Sequence, residues 1–199
     1  QYLHAQNVKL EQGQNGGVGL TPIDPIEWIT GNANSGKAHY SEGQSIPYRV
    51  VLTGVSPGNH SLVVEWDIRK DNKSAIDFIT SYQQIDEVVN PTAGLSGSFS
   101  SPSYFAIPTP QSNVLTPGLY GDQMQPFYSF NQLPSAQRRM AAFNGTINNV
   151  SYVPEGDPST SNSSSRIKID FSVTGPTSKT VVIAWGGHIA SRIDWGAPN

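Results

Sequence analysis

Apolar and polar residues alternate with a period of two along much of this chain, which is the pattern of β-strands with one buried face. The clearest example is residues 61–69, where Leu62, Val64 and Trp66 fall on one face and Glu65 falls on the other. Trp66 is therefore expected to anchor the core. The same pattern predicts further strands at residues 46–53, 140–153, 166–174 and 179–186, with strand-like islands within 98–107.

The first twelve residues form a predicted strand of their own, because apolar residues alternate there with one slip. Its apolar positions are Leu3, Ala5, Val8 and Leu10. The stretch Gly13–Gly17 has no apolar side chain and predicts a flexible hinge. This divides the chain into residues 1–17, a strand with its hinge, and residues 18–199, the main domain. A strand behind a hinge can pair within its own sheet or with a neighbouring molecule, and both arrangements stay open.

Residues 74–85 break the β pattern, since apolar residues recur there at positions 75, 76, 79 and 82. Ser74 with Asp77 three residues later resembles a helix capping box with a shortened acid. This spacing predicts one short helix packed against an edge of the sheets.

Composition agrees with short strands joined by turns, because the 199 residues include 19 Gly and 15 Pro and only 14% are charged. A chain of this length is expected to form one main domain with a sizeable core. The predicted fold is therefore an all-β, jelly-roll-like sandwich with one short helix and an N-terminal extension strand.

Charge and cysteine content exclude several classes of function. The balance of 12 Lys and Arg against 15 Asp and Glu gives no field suited to nucleic acid or an anionic membrane. The adjacent pair Arg138 and Arg139 is too small a platform for single-stranded nucleic acid. The absence of Cys excludes disulfides and thiolate metal sites.

Export is expected from two observations. The sequence opens on Gln1 and not on Met, which favours a mature chain whose signal peptide has been removed, and no apolar run is long enough to span a bilayer. Asparagine sequons are also present in modest excess and in predicted loops or strand ends. The candidate glycosylation sites are Asn59, Asn72, Asn144, Asn149 and Asn162.

Catalytic and metal-binding patterns are weak. The run from Gly31 to Lys37 imitates a phosphate-binding loop, but Ala38 stands where that motif needs Ser or Thr. Ser96 lies in a near-miss of a nucleophile elbow, without the required glycine spacing. The four histidines lack metal-ligand spacing. No pair of carboxylates suits glycoside hydrolysis. We therefore expect no enzyme activity and no cofactor.

Calcium is the one metal left open, because it needs only oxygen ligands. The carboxylates available for such a site are Asp71, Asp77, Asp86 and Asp194. No loop has the acidic spacing of a known calcium motif.

Several strings resemble one family. They are Tyr40–Val50, Gly58–Leu62, Glu65–Ile68, Ala75–Tyr82, Ala184–Ala190 and Asp194–Gly196. Together they resemble a prealbumin-like β-sandwich domain of secreted and cell-surface prokaryotic proteins, often found in adhesin-like chains. The resemblance spans roughly residues 26–196 and implies a surface location without catalytic residues. In architecture alone, the chain is also similar to extracellular filament subunits that donate an N-terminal strand.

The predicted function is therefore a structural subunit of an extracellular surface filament. Residues 1–12 would leave their own domain and fill an open groove in the next subunit, so that the partner is a second copy of the chain. The alternative is a monomeric secreted adhesin module that binds carbohydrate or peptide, with surface glycans as possible partners and calcium as a possible ligand.

Overall fold

The computed structural model describes residues 5–110, 126–158 and 160–191, and it is an all-β sandwich, as predicted. The strands are β1 (Asn7–Gln14), β2 (Glu27–Ile29), β3 (Ser45–Val55), β4 (Gly58–Lys70), β5 (Lys73–Ser74), β6 (Ile76–Thr80), β7 (Ser103–Ala106), β8 (Arg139–Phe143), β9 (Thr146–Tyr152), β10 (Ser163–Val173) and β11 (Lys179–Ile189). One helix, α1 (Pro126–Gln132), and a 3₁₀ turn, Ser135–Gln137, precede β8. Among the described helices, none has the length and apolar character to cross a membrane.

The strands form two antiparallel sheets. The larger sheet has the order β2-β1-β3-β11-β8-β7, with β6 also paired to β11. The smaller sheet has the order β9-β10-β4-β5. The adjacent strands β3 and β11 of the larger sheet continue into the adjacent strands β4 and β10 of the smaller one, which is a jelly-roll-like crossing.

The main core lies between the sheets and comes from the inward positions of alternating strands. Leu52 on β3, Ile183 on β11 and Ile169 on β10 are all fully buried there. A smaller cluster lies on the outer face of the larger sheet, where Leu95 and Phe99 of the 81–100 loop pack against Val51 and Val182. Because this loop covers the outer face, the middle of the larger sheet is buried on both sides.

The predicted helix over residues 74–85 is wrong. That segment forms β5 and β6, and β6 pairs with β11. Four of the five β6 residues are buried, so the helix-like spacing of apolar residues reflects burial on both faces of a strand. β-branched residues such as Ile76, Ile79 and Thr80 favour this conformation. The helix found among the described residues, α1, lies in a segment for which the alternation pattern made no prediction.

The N-terminal strand pairs within its own chain, which is the alternative that the sequence left open. β1 lies antiparallel to β3, with Val8 opposite Leu52 and Leu10 opposite Val50. The predicted flexible hinge at Gly13–Gly17 is wrong, because this stretch is packed against the domain. Gly16 N–H donates to the Lys37 carbonyl, and a Cβ at Gly17 would come within 2.8 Å of the Gly36 carbonyl oxygen.

Candidate functional site: an open groove beside a free strand edge

In the part of the chain that the structure describes, the sandwich is closed on one side and open on the other. On the closed side, β9 packs against β7 and β8. On the open side, the larger sheet extends past β4 through β1 and β2, and the smaller sheet has no described strand opposite β1. The smaller sheet therefore leaves part of the inner face of the larger sheet uncovered on this side.

An apolar groove of about 870 Å³ occupies this gap. Its walls come from both sheets. The lining residues are Val8, Leu10, Glu11, Gln12, Gly31, Asn32, Tyr48, Val50, Leu52, Ser61, Leu62, Val63, Val64, Glu65, Trp66, Asp67, Ala75, Ile76, Ile79, Trp185 and Gly187. Tyr48 and Trp185 stack with ring centroids 6.0 Å apart. The groove is mostly apolar, which suits the alternate side chains of an inserted strand.

The outer edge of β4 is available for backbone pairing along most of its length. β10 pairs with the other edge from Gly58 to Arg69, whereas β5 reaches only Arg69 and Lys70. Ala75 N–H donates to the Ile68 carbonyl, so this edge of β4 is occupied from Lys70 back to Ile68. In the described part of the chain, no strand pairs with this edge over residues 58–67. Such an edge is a template for strand addition.

The inward side chains of β4 are left partly exposed by the groove. Leu62, Val64 and Trp66 contact the core yet remain only half-buried. The indole Nε1 of Trp66 has no hydrogen-bond partner among the described residues. Trp66 is therefore a groove wall as well as the predicted core residue.

Within β1, the structure divides a loosely held half from an anchored half. Every residue from Gln6 to Leu10 is exposed, and Val8 and Leu10 are 56% and 54% exposed although both line the groove. Ala5 is half-buried against the core, and Leu3 lies outside the described residues. Of the four predicted apolar positions, Val8 and Leu10 therefore border the groove without filling it.

The anchored half begins at Glu11. Its carboxylate is 2.7 Å from Arg49 Nη2, and the two side chains are 4% and 3% exposed. Burial alone would raise the pKa of Glu11, but hydrogen bonds from Lys9 and Arg49 outweigh burial and lower that pKa. Arg49 also donates to the carbonyls of Pro91 and Ala93. Glu11 thus ties β1 to both β3 and the covering loop.

Asn15 extends the anchor beyond the strand. It is 2% exposed, its amide donates to Glu87 at 2.9 Å, and its Oδ1 accepts from the His39 N–H. Such a network has to break before Gly13–Gly17 can move, so the base of β1 is fixed. The pattern of polar and glycine residues could not show this, since it is also typical of a flexible linker.

The sequons lie mainly on the smaller sheet. Asn59, Asn72, Asn149 and Asn162 are all exposed, at its ends or on its outer strand. Asn144 is different, because its amide donates to the carbonyls of Ser98 and Thr180 and its Oδ1 accepts from the Ser100 N–H. A glycan on Asn144 would displace these bonds, whereas the other four residues are exposed.

The candidate calcium carboxylates are not brought together. Asp77 is buried against His188, with Oδ1 2.7 Å from Nδ1, while Asp86 lines a separate small pocket and Asp194 lies outside the described residues. Asp71 sits in the β4–β5 turn, where its N–H donates to Asn162. No group of three or more metal-ligating side chains occurs in the parts of the chain that the structure describes.

The sequence predicted Val8 and Leu10 as apolar positions of the N-terminal strand, but it did not predict the residues that form the groove. Tyr48, Val64 and Trp185 were assigned to strands, and their position beside an open edge depends on which strands become neighbours. The buried partner Glu11 gave no signal either, because a charged residue in an alternating strand normally faces solvent.

No protein-family model, no curated protein and no solved structure matches this chain. The resemblance to a prealbumin-like surface domain therefore stays a prediction, and the function is argued from the groove alone.

Proposed function

We propose that this protein is a structural subunit of an extracellular filament, and that each subunit inserts its N-terminal segment into the groove of the next. The observation that carries this proposal is the apolar groove between β1 and the free edge of β4. The donor segment is Gln1–Leu10, which is shorter than residues 1–12 because Glu11 is anchored.

The donor segment loses little when it leaves its home position. Residues Gln6–Leu10 are held by one ladder to β3, and more than half of Val8 and of Leu10 is exposed to solvent. In a neighbour's groove, from which the neighbour's own residues before Glu11 have left in turn, the segment would form a new ladder with β4 and bury both side chains between the two sheets. Full burial of an aliphatic side chain stabilises by about 1.5–3 kcal/mol. The exchange therefore favours the assembled state, at the cost of unpairing part of β3.

The shape of the open side favours one added strand over a second whole sandwich. The larger sheet overhangs β4 by β1 and β2, so a second domain could not bring its own paired sheets to this edge without meeting the overhang. Head-to-tail strand insertion does not close on itself and produces a fibre. Asn72, Asn149 and Asn162 lie outside the free edge of β4, so glycans on them are compatible with assembly, whereas Asn59 lies on that acceptor strand.

Assembly of the purified chain tests this proposal. Wild-type protein should form filaments visible by negative-stain electron microscopy and sedimenting in the ultracentrifuge, whereas Val64→Arg should remain monomeric because the arginine fills the groove. Val88→Arg is the matched control, since Val88 lies in the 81–100 loop, does not line the groove and is 55% exposed. It should assemble as the wild type does.

A second variant keeps the test decisive if Val64→Arg unfolds the domain. Val8→Ser with Leu10→Ser changes exposed side chains only and should also abolish filaments. A synthetic peptide of residues 1–10 should bind wild-type monomer in fluorescence anisotropy but not Val64→Arg. A wild-type chain that stays monomeric and ignores this peptide would overturn the proposal and return the adhesin alternative to first place.

A further inference from the structure

The donor segment and the acceptor edge carry opposite charges. The first ten residues contain Lys9 and His4 and no acidic residue. The rim of the groove on β4 contains Glu65 and Asp67. Complementary charge of this kind selects partners and accelerates their encounter more than it adds affinity.

Strand geometry puts these charges on the same side of the junction. Successive side chains of a strand point to opposite faces, so Lys9 points outward when Val8 and Leu10 enter the groove. On β4, Leu62, Val64 and Trp66 point inward, so Glu65 and Asp67 point outward. This holds whether the donor runs parallel or antiparallel to β4. A lysine also reaches diagonal as well as directly opposite neighbours across a ladder.

The two acidic residues differ in availability. Glu65 already holds Arg166, whose Nε lies 2.9 Å from its carboxylate, and this partner lowers the pKa of Glu65. Asp67 is exposed and has no cation within salt-bridge distance among the described residues. Asp67 is thus the carboxylate at the groove that remains open to an incoming charge.

Lys9 can leave Glu11 without leaving a buried charge unpaired. At home it lies 2.6 Å from Glu11 and its side chain is 52% exposed. Glu11 keeps Arg49 when Lys9 departs, so the buried carboxylate stays paired. The anchored ion pair therefore permits the segment before it to exchange.

Resting on the proposed filament function, we infer that Lys9 of the donor and Asp67 of the acceptor form the contact by which a subunit selects a second copy of itself. Burial of the Val8 and Leu10 side chains stabilises the junction, and the Lys9–Asp67 pair determines which partner is preferred. Both residues remain solvent-accessible, so the pair acts mainly on the rate of assembly and is screened by salt.

Charge reversal and its rescue test the inference by light scattering at low ionic strength. Asp67→Lys should slow assembly about tenfold, and the combined Lys9→Glu and Asp67→Lys chain should recover most of the wild-type rate. Lys37→Glu, an exposed reversal that does not line the groove, is the matched control and should assemble normally. Raising the salt concentration should make the assembly rates of Asp67→Lys and wild type similar.

Lys9→Glu also places a second carboxylate beside Glu11 in the donor's own sheet, and Lys9→Gln is the control for that repulsion. It loses the home contact without repulsion and should slow assembly less than Asp67→Lys. If Asp67→Lys matches the Lys37→Glu control, or the combined chain is not restored, while Val64→Arg still blocks filaments, the inference is wrong and the proposed function stands. If Val64→Arg also forms filaments, the proposed function itself is wrong.

Discussion

Two neighbouring strands of the smaller sheet, β10 and β4, have the same alternation and reach different environments. The inward residues Ile167, Ile169 and Phe171 of β10 are fully buried. On β4 the inward residues that line the groove, Leu62, Val64 and Trp66, remain half-buried. β10 has a strand on each side and a complete sheet across from it, whereas β4 borders the open groove.

This difference shows that a strand's own sequence reports which face points inward but not whether that face is covered. Coverage depends on the number of strands in each sheet and on where each sheet ends. An incompletely covered apolar face in an otherwise closed sandwich is a place where another chain can add.

The largest expected effect on the free energy of unfolding comes from replacing one inward side chain by alanine on each of the two strands, β10 and β4. Ile169→Ala should lower the free energy of unfolding by about 3–4 kcal/mol, because it opens a cavity in a fully buried site. Val64→Ala should cost about 1 kcal/mol or less, since the groove already exposes that side chain. Urea unfolding followed by circular dichroism measures both. Equal costs would mean that the groove is covered in the monomer.

The two halves of β1 repeat the comparison within one strand. Glu11→Gln should destabilise the fold by about 3 kcal/mol, because it leaves Arg49 buried without its carboxylate. Lys9→Gln is the matched control in the exposed half and should cost under about 1 kcal/mol. The same urea titration compares the two variants. A small effect at Glu11 would show that the base of β1 is not anchored.

The pH dependence of Glu11→Gln follows from the direction of the pKa. Because folding lowers the pKa of Glu11, its contribution is complete above the ordinary value of 4.5 and is lost as pH falls through the lowered value. The gap in stability between wild type and Glu11→Gln should therefore be constant from pH 7 to about 5 and narrow at lower pH. A gap that widened on acidification would contradict the ion pair.

The sequence could predict the all-β class and most strand positions, since β4 and β10 keep a clear period of two and β3 and β11 contain runs of apolar, mostly β-branched residues. It failed at residues 74–85, where burial on both faces imitated a helical spacing. It also failed at Gly13–Gly17, because the contacts of Asn15 with His39 and Glu87 join distant parts of the chain. The groove could not be predicted for the same reason as the contacts of Asn15, since it depends on which distant strands become neighbours.

Asn144 offers an intermediate effect on the closed side of the sandwich. It links β8 to β9 with a φ of 59°, a left-handed conformation that Asn tolerates and Ala does not. Asn144→Ala should cost about 2 kcal/mol through this strain and the loss of its three hydrogen bonds. Asn144→Gly should cost less, because it relieves only the strain. Thermal unfolding of the two variants separates these contributions, and equal melting temperatures would assign the effect to the hydrogen bonds alone.

The smallest effect on the monomer is expected where the effect on assembly is greatest. Val8→Ser and Leu10→Ser should each change the stability of the monomer by less than about 1 kcal/mol, because more than half of each side chain is already in water. The measurement is urea unfolding at a concentration below the onset of assembly. A cost near that of Ile169→Ala would mean that β1 is covered at home, and a covered strand would have nothing to gain in a neighbour's groove. Stability that barely changes in a chain that no longer assembles would instead separate the two roles: Glu11 and the residues after it hold β1 in its own sheet, and the side chains before Glu11 serve the junction.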